Sequence, residues 1–89
     1  MTLRIEKKSA GSETVYRLSG RIAAENLEQL MHEISGQETG TALNLEYVTF
    51  VDLEGVRFLS ACESRGIELL HCSPYIREWI ARERETHST

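Results

Sequence analysis

The 89-residue sequence lacks the features that mark several large classes of protein. Its two cysteines, Cys62 and Cys72, are too few for a disulfide scaffold and do not have the spacing of metal ligands, so we expect reduced thiols and no bound metal. No apolar run approaches the roughly 20 residues that span a bilayer, and the first residues lack the apolar core of a signal peptide. We therefore expect a cytoplasmic protein without membrane insertion.

Basic clusters are also missing from the sequence. Ten lysines and arginines are opposed by 14 aspartates and glutamates, which gives a net charge of −4. The only basic run is Lys7-Lys8, and we interpret it as a solvated strand end. A surface that binds nucleic acid needs clustered basic residues to displace counterions. The charge pattern therefore argues against nucleic acid as a partner.

The composition is that of an ordinary folded domain. Apolar residues make up 40% of the chain and charged residues 27%, far from the signature of a disordered chain. The length suits one compact core and falls short of two. We expect a single domain over residues 1–84 and a frayed tail over residues 85–89, which offers nothing to bury.

The first half of the sequence predicts a hairpin and a helix. Leu3 and Ile5 alternate with polar neighbours, and a second β-rich run at residues 15–18 follows a turn signal at residues 9–12. A helix is then predicted from an apolar stripe with the spacing i, i+3, i+4, i+7, and Gly36 is its expected end. The stripe comprises Leu27, Leu30, Met31 and Ile34.

The second half alternates strands and helices. Residues 42–48 have the pattern of a strand with one buried face, and residues 54–65 that of an amphipathic helix. A short apolar strand is predicted at residues 67–72, and Ser73-Pro74 predicts the start of a last helix. The order β-β-α-β-α-β-α predicts an α/β fold with a small mixed sheet of about four strands and helices mainly on one face.

Three segments with these spacings carry a family resemblance that covers nearly the whole chain. They are Tyr16-Arg17-Leu18-Ser19-Gly20-Arg21-Ile22, Leu43-Asn44-Leu45 with Val48-Thr49-Phe50-Val51-Asp52 and Gly55, and Cys72-Ser73-Pro74. Together they resemble the STAS family, named for sulfate transporters and anti-sigma factor antagonists. The resemblance implies a domain that docks on a partner protein, such as an anti-sigma factor kinase or a component of a membrane transporter.

The resemblance also implies a switch, and the sequence departs from it. In the family, a serine or threonine directly after the aspartate aligned with Asp52 is phosphorylated, but this chain has Leu53 there. An alkyl side chain cannot accept the phosphate, which would add about −1.5 to −2 charges. We therefore predict a docking module that is not phosphorylated at the usual position.

Asp52, Leu53 and Glu54 form the predicted start of the second helix. Asp52 is expected to accept hydrogen bonds from free N–H groups of the helix, with direct contact to a partner as a further role. The charge of Glu54 is favourable at a helix N-terminus, and mimicry of a phosphate is the alternative role. Gly55 lies on the side that faces the sheet, so we expect it to allow close packing.

The outward side of the same helix is the predicted interface. It comprises Arg57, Ser60, Ala61 and Ser64, which are mostly short side chains with little charge. Such a surface would let a partner backbone come close, with Arg57 as its anchor. A plain solvated face is the alternative.

No enzymatic site is predicted. His71 and Cys72 are adjacent in a predicted strand and would point to opposite faces, so they cannot act as a base and nucleophile pair. The segment from Asp52 to Gly55 matches no nucleotide fingerprint, and no cofactor is expected. A sensor of small ligands or nucleotides, with a site near Asp52 and Ser73, remains an alternative function, as does a subunit of a membrane transporter.

Overall fold

The first two strands form an antiparallel hairpin in the computed structural model, which describes residues 3–34 and 40–87. Strand β1 spans Leu3–Ala10 and β2 spans Glu13–Ile22. Their pairing is continuous from Leu3 with Gly20 to Ala10 with Glu13. Gly11 in the turn has a φ of 62°, which is the left-handed region that glycine adopts without strain. The predicted hairpin is confirmed, with longer strands than the pattern indicated.

The remaining elements follow in the predicted order. They are α1 (Ala24–Ile34), β3 (Thr41–Val51), α2 (Leu53–Ser64), β4 (Glu68–Leu70) and α3 (Pro74–His87). The strands lie in the order β1-β2-β3-β4 in one sheet. Only the β1–β2 pair is antiparallel within this sheet, because β2–β3 and β3–β4 are parallel. The sequence predicted this mixed α/β architecture correctly.

Strand β4 is shorter than predicted. It pairs with β3 only across Ala42 to Asn44, and the chain leaves the sheet at His71, whose φ is 54°. A left-handed residue breaks the extended conformation that a strand needs. The predicted strand at residues 67–72 is therefore reduced to three residues, and Cys72 lies outside it.

The core lies between the sheet and the helices. Tyr16, Leu18, Leu43 and Leu45 of the two central strands are buried, and Val56 and Leu59 of α2 are fully enclosed. The opposite face of the sheet is open, and aromatic and cationic side chains lie against each other there. Arg17 lies over the ring of Tyr47 at 5.4 Å and Arg21 over the ring of Phe50 at 4.3 Å, measured to the ring centroids.

One residue of the predicted α1 stripe is exposed. Met31 is 54% exposed, because the buried line of the helix runs through Asn26, Leu30 and Ile34, each four residues apart. Asn26 is buried at a polar site, where its Nδ2 donates to the carbonyl oxygen of Arg21 at 3.0 Å. The expected helix end at Gly36 lies outside the described residues.

The C-terminal helix extends further than expected. Helix α3 continues to His87, so residues 85–87 are helical where the sequence predicts a frayed tail. Residues 88 and 89 lie outside the described part of the chain. The Oγ of Ser73 accepts a hydrogen bond from the N–H of Ile76 at 3.3 Å, which confirms the predicted cap at the start of this helix.

Candidate functional site

The corner between β3 and α2 is organised by Asp52. Its backbone is extended, and its Oδ1 accepts a hydrogen bond from the N–H of Gly55 at 2.8 Å. This is the N-cap that the sequence predicts. The cap satisfies one of the N–H groups that a helix start leaves without a partner, and the carboxylate charge is favourable at that end of the helix dipole.

The same carboxylate also holds the start of α1. Its Oδ2 accepts a hydrogen bond from the N–H of Ala24 at 3.1 Å, and the backbone N–H of Asp52 donates to the carbonyl of Ile22 at 3.3 Å. Strands β2 and β3 are parallel and end at the same edge of the sheet, so the two helix starts lie side by side. One side chain therefore fixes both, which local sequence patterns do not predict.

Gly55 permits the close contact between α2 and the end of β2. A Cβ atom at this position would lie only 2.2 Å from the carbonyl oxygen of Ile22 and 2.9 Å from a methyl group of Val51. Real Cβ atoms do not approach backbone oxygen so closely, so any side chain would push the helix away. The packing role predicted for this glycine is confirmed.

Leu53 begins α2 and presents an apolar side chain to solvent at this fixed corner. It is 39% exposed, and Phe50, at the end of β3, is 43% exposed. Glu54, the next residue after Leu53, is also exposed, and the Oε1 of Glu54 lies 3.3 Å from a terminal nitrogen of Arg57. The corner thus combines a constrained backbone with exposed apolar and acidic side chains.

The outward side of α2 is bordered by α3, which changes the predicted character of this surface. Arg57, Ser60, Ala61 and Ser64 all line one open groove of about 720 Å³, together with Glu63, Glu83 and Arg84. The Nε of Arg57 lies 3.3 Å from Glu83, and the Nε of Arg84 donates to the Oγ of Ser60 at 3.1 Å. The expectation of a surface with little charge is wrong, because α3 contributes charged side chains to it.

Glu63 joins the two helices at the base of this groove. It accepts a hydrogen bond from Arg77 at 2.7 Å and lies 3.1 Å from a terminal nitrogen of Arg84. Both arginines belong to α3, while Glu63 belongs to α2. These contacts hold α3 along α2 and fix the width of the groove.

The structure gives the residues considered for catalysis and for ligand binding surroundings that do not suit those roles. Burial raises the pKa of the Cys72 thiol, and the nearby Arg77 opposes this effect only in part, so the reactive thiolate is disfavoured. His71 and Cys72 lie beyond β4, so the predicted strand alternation does not apply to them. Asp52 and Ser73, proposed for a ligand sensor, both accept hydrogen bonds from helix N–H groups.

Within residues 3–34 and 40–87, no group of three or more histidine, cysteine, aspartate and glutamate side chains is placed to hold a metal ion. Of the helices in the same ranges, none has the length and apolar character that crossing a membrane requires.

Three solved structures are similar to this one. The anti-sigma factor antagonist SpoIIAA in its unphosphorylated form matches with a TM-score of 0.64 and 24% identity over 84% of this chain and 79% of that chain. A protein named Mglu matches with a TM-score of 0.61 and 19% identity over 78% of this chain and 19% of that longer chain. A protein from Shewanella loihica with a SpoIIAA-like fold has a TM-score of 0.49, 15% identity and coverage of 94% and 78%.

The fold is therefore of the STAS type, as the sequence resemblance implied, and SpoIIAA is a solved example of it. Neither a scan against protein-family models nor a search of the curated proteins found a match.

Proposed function

We propose that this chain is a cytoplasmic, non-catalytic regulatory module that docks on a partner protein in the manner of an anti-sigma factor antagonist. The docking edge runs from Asp52 along α2 to Ser64 and includes Leu53, Glu54, Arg57, Ser60 and Ala61. Support comes from the fold that the chain shares with SpoIIAA, which is an anti-sigma factor antagonist.

The exposed side chain of Leu53 is the observation that carries the proposal. An apolar side chain that protrudes from a rigid segment of the backbone is suited to fill a pocket in a partner. The backbone at Leu53 is rigid, because Asp52, the residue before it, caps α2 and also accepts a hydrogen bond from the first N–H of α1. A docking residue with so little backbone freedom loses little entropy on binding.

The partner proposed for this edge is an anti-sigma factor kinase, and Leu53 makes the interaction independent of phosphorylation. A phosphate at the start of α2 would add negative charge beside Asp52 and Glu54 and would disrupt an apolar contact. With leucine at this position, the kinase has no hydroxyl group to modify. Binding would then be controlled by the amounts of the two proteins.

Incubation with the cognate anti-sigma factor kinase and ATP tests this proposal. We expect the wild-type protein to bind the kinase and to show no added phosphate between Thr49 and Ser64 by mass spectrometry of peptides. A Leu53→Ser variant restores a hydroxyl group at the corner and is expected to become phosphorylated. Stoichiometric phosphate on the wild-type segment would contradict the proposal, as would absence of any binding.

A further inference from the structure

Strand β1 is an open edge of the sheet in the described part of the chain. It is eight residues long, and the sheet order places β2 on one side of it and no other strand on its other side. Strands in globular proteins are usually about 5–6 residues long. Every second residue of such a strand directs its N–H and C=O groups away from the sheet, where another strand can pair with them.

Two of the usual protections of an edge strand, a bulge and a proline, are missing from β1. The pairing of β1 with β2 has no register shift, in contrast to the irregular β2–β3 pair, so no bulge twists this edge away. The segment contains no proline. Lys7, whose charge could block a second strand, turns its Nζ toward the ring of Tyr16, 6.0 Å from the centroid.

We propose that the chain forms a homodimer in which the β1 strands of two copies pair antiparallel about a twofold axis at Ile5. This pairing joins the two sheets into one sheet of eight strands, since each copy contributes four. The axis is perpendicular to the sheet, so the helices of both copies lie on the same side. Helix α2, which carries the proposed docking edge, packs against β3 and β4, away from the paired β1 strands.

Charge complementarity selects this register. Side chains of directly opposed residues in an antiparallel pair share a face, so the axis passes through a residue and not between two. With the axis at Ile5, Arg4 of each copy faces Glu6 of the other. With the axis at Glu6, the two Glu6 carboxylates oppose each other and Arg4 faces Lys8. With the axis at Lys7, Glu6 of each copy faces Lys8 of the other, but the two Lys7 side chains are directly opposed, which is unfavourable.

Arg4 and Glu6 are available for these contacts. The side chain of Arg4 is 77% exposed, and its contact with Glu6 of the same strand is long, at 4.0 Å to Oε2. Arg17 binds the other carboxylate oxygen, Oε1, at 2.6 Å and thereby orients the group. Oε2 can therefore accept a shorter contact from Arg4 of a second copy.

The dimer is expected to be weak, because a single pair of strands buries much less surface than a standard protein interface. Sedimentation velocity over a concentration range of about hundredfold, up to millimolar, tests for it. Arg4→Glu places a carboxylate opposite Glu6 at both symmetry-related contacts and is expected to weaken association by about ten- to hundredfold. Thermal melts of the variant at low concentration check that the fold is intact.

Lys8→Glu is the matched control for this experiment. It makes the same change of charge on the same face of the same strand, but in the proposed register position 8 lies outside the two Arg4–Glu6 pairs. We expect this variant to dimerise like the wild type. Loss of the dimer in Lys8→Glu with retention in Arg4→Glu would indicate the axis at Lys7 and overturn the proposal. Equal loss in both variants, or a wild type that stays monomeric at millimolar concentration, would also overturn it.

Discussion

Asp52 illustrates how one side chain fixes the geometry of a docking edge. Its two carboxylate oxygens accept hydrogen bonds from the N–H groups of Gly55 and Ala24, which lie in the first turns of two different helices. The cap on α2 follows from the residue type and its position after a strand. The bond to Ala24 does not, because it joins residues 28 positions apart and depends on the parallel pairing of β2 and β3.

We predict that Asp52→Ala lowers the free energy of unfolding by about 2 kcal/mol, since it removes two hydrogen bonds to helix starts at about 1 kcal/mol each. Asp52→Asn retains one oxygen acceptor and is expected to lose about half as much. Urea denaturation measures both. Equal losses in the two variants would show that the hydrogen bond to the oxygen retained in Asp52→Asn contributes nothing to stability.

Glu6 gives a prediction for acid stability. The hydrogen bond and charge of Arg17 lower the pKa of the Glu6 carboxyl below its ordinary value of 4.5. A carboxyl with a lowered folded-state pKa contributes stability above the unfolded-state pKa, and that contribution is lost as the pH falls through the folded-state pKa. The melting temperature is therefore expected to decrease below about pH 4.5, in part because of Glu6.

The comparison of Glu6→Gln with the wild type isolates this effect. The variant has no carboxyl to titrate, so the gap in melting temperature between the two proteins should be largest at neutral pH and should close in acid. Glu28→Gln on α1 is the control for removal of a carboxylate elsewhere. A gap that does not change with pH would contradict the assignment.

At the scale of elements, the attachment of α3 to α2 defines the groove. Its apolar anchors, Ile76 and Ile80, are buried in the core, and the charged contacts of Glu63 with Arg77 and Arg84 lie around them. Burial of the isoleucines supplies most of the stabilisation. The partly exposed ion pairs contribute less and set the angle between the helices.

We predict that Glu63→Gln lowers the free energy of unfolding by about 1 kcal/mol, because it weakens two contacts between helices that are each of order 0.2–1 kcal/mol. The matched control is Glu78→Gln, which removes a carboxylate that pairs with Arg82 inside α3. A contact within one exposed helix is expected to contribute about 0.3–0.5 kcal/mol. Chemical denaturation of the two variants should therefore rank Glu63→Gln as the more destabilising, and the reverse order would contradict this account of the groove.

The elements themselves were largely predictable from the sequence, because their signals are local. Leu43 and Leu45 alternate with polar residues, Gly11 lies at a turn, and Ser73 with Pro74 starts a helix. The exposure of Met31 and the charged groove along α2 were not predicted. Both depend on which neighbour packs against a helix, and a periodic pattern in one segment does not contain that information.

At the scale of the whole molecule, the two proposed surfaces use different parts of the fold. The β1 edge would join two copies, and the α2 edge would dock on a partner. A dimer would present two docking edges on the same side of a continuous sheet, so a partner with two matching sites would bind it more tightly than a monomer. Disruption of the β1 edge by Arg4→Glu is therefore expected to leave the affinity of a single docking edge unchanged.

Calorimetric titration of the cognate anti-sigma factor kinase tests whether the apolar corner at Leu53 docks on a partner protein. Leu53→Asp keeps a residue suited to a helix N-terminus but removes the apolar contact. Met31→Asp makes the same kind of change at an exposed position of α1, 54% exposed in the structure. We predict that Leu53→Asp weakens binding by at least about tenfold and that Met31→Asp binds like the wild type. Equal affinities of all three proteins, or loss only in Met31→Asp, would contradict the account.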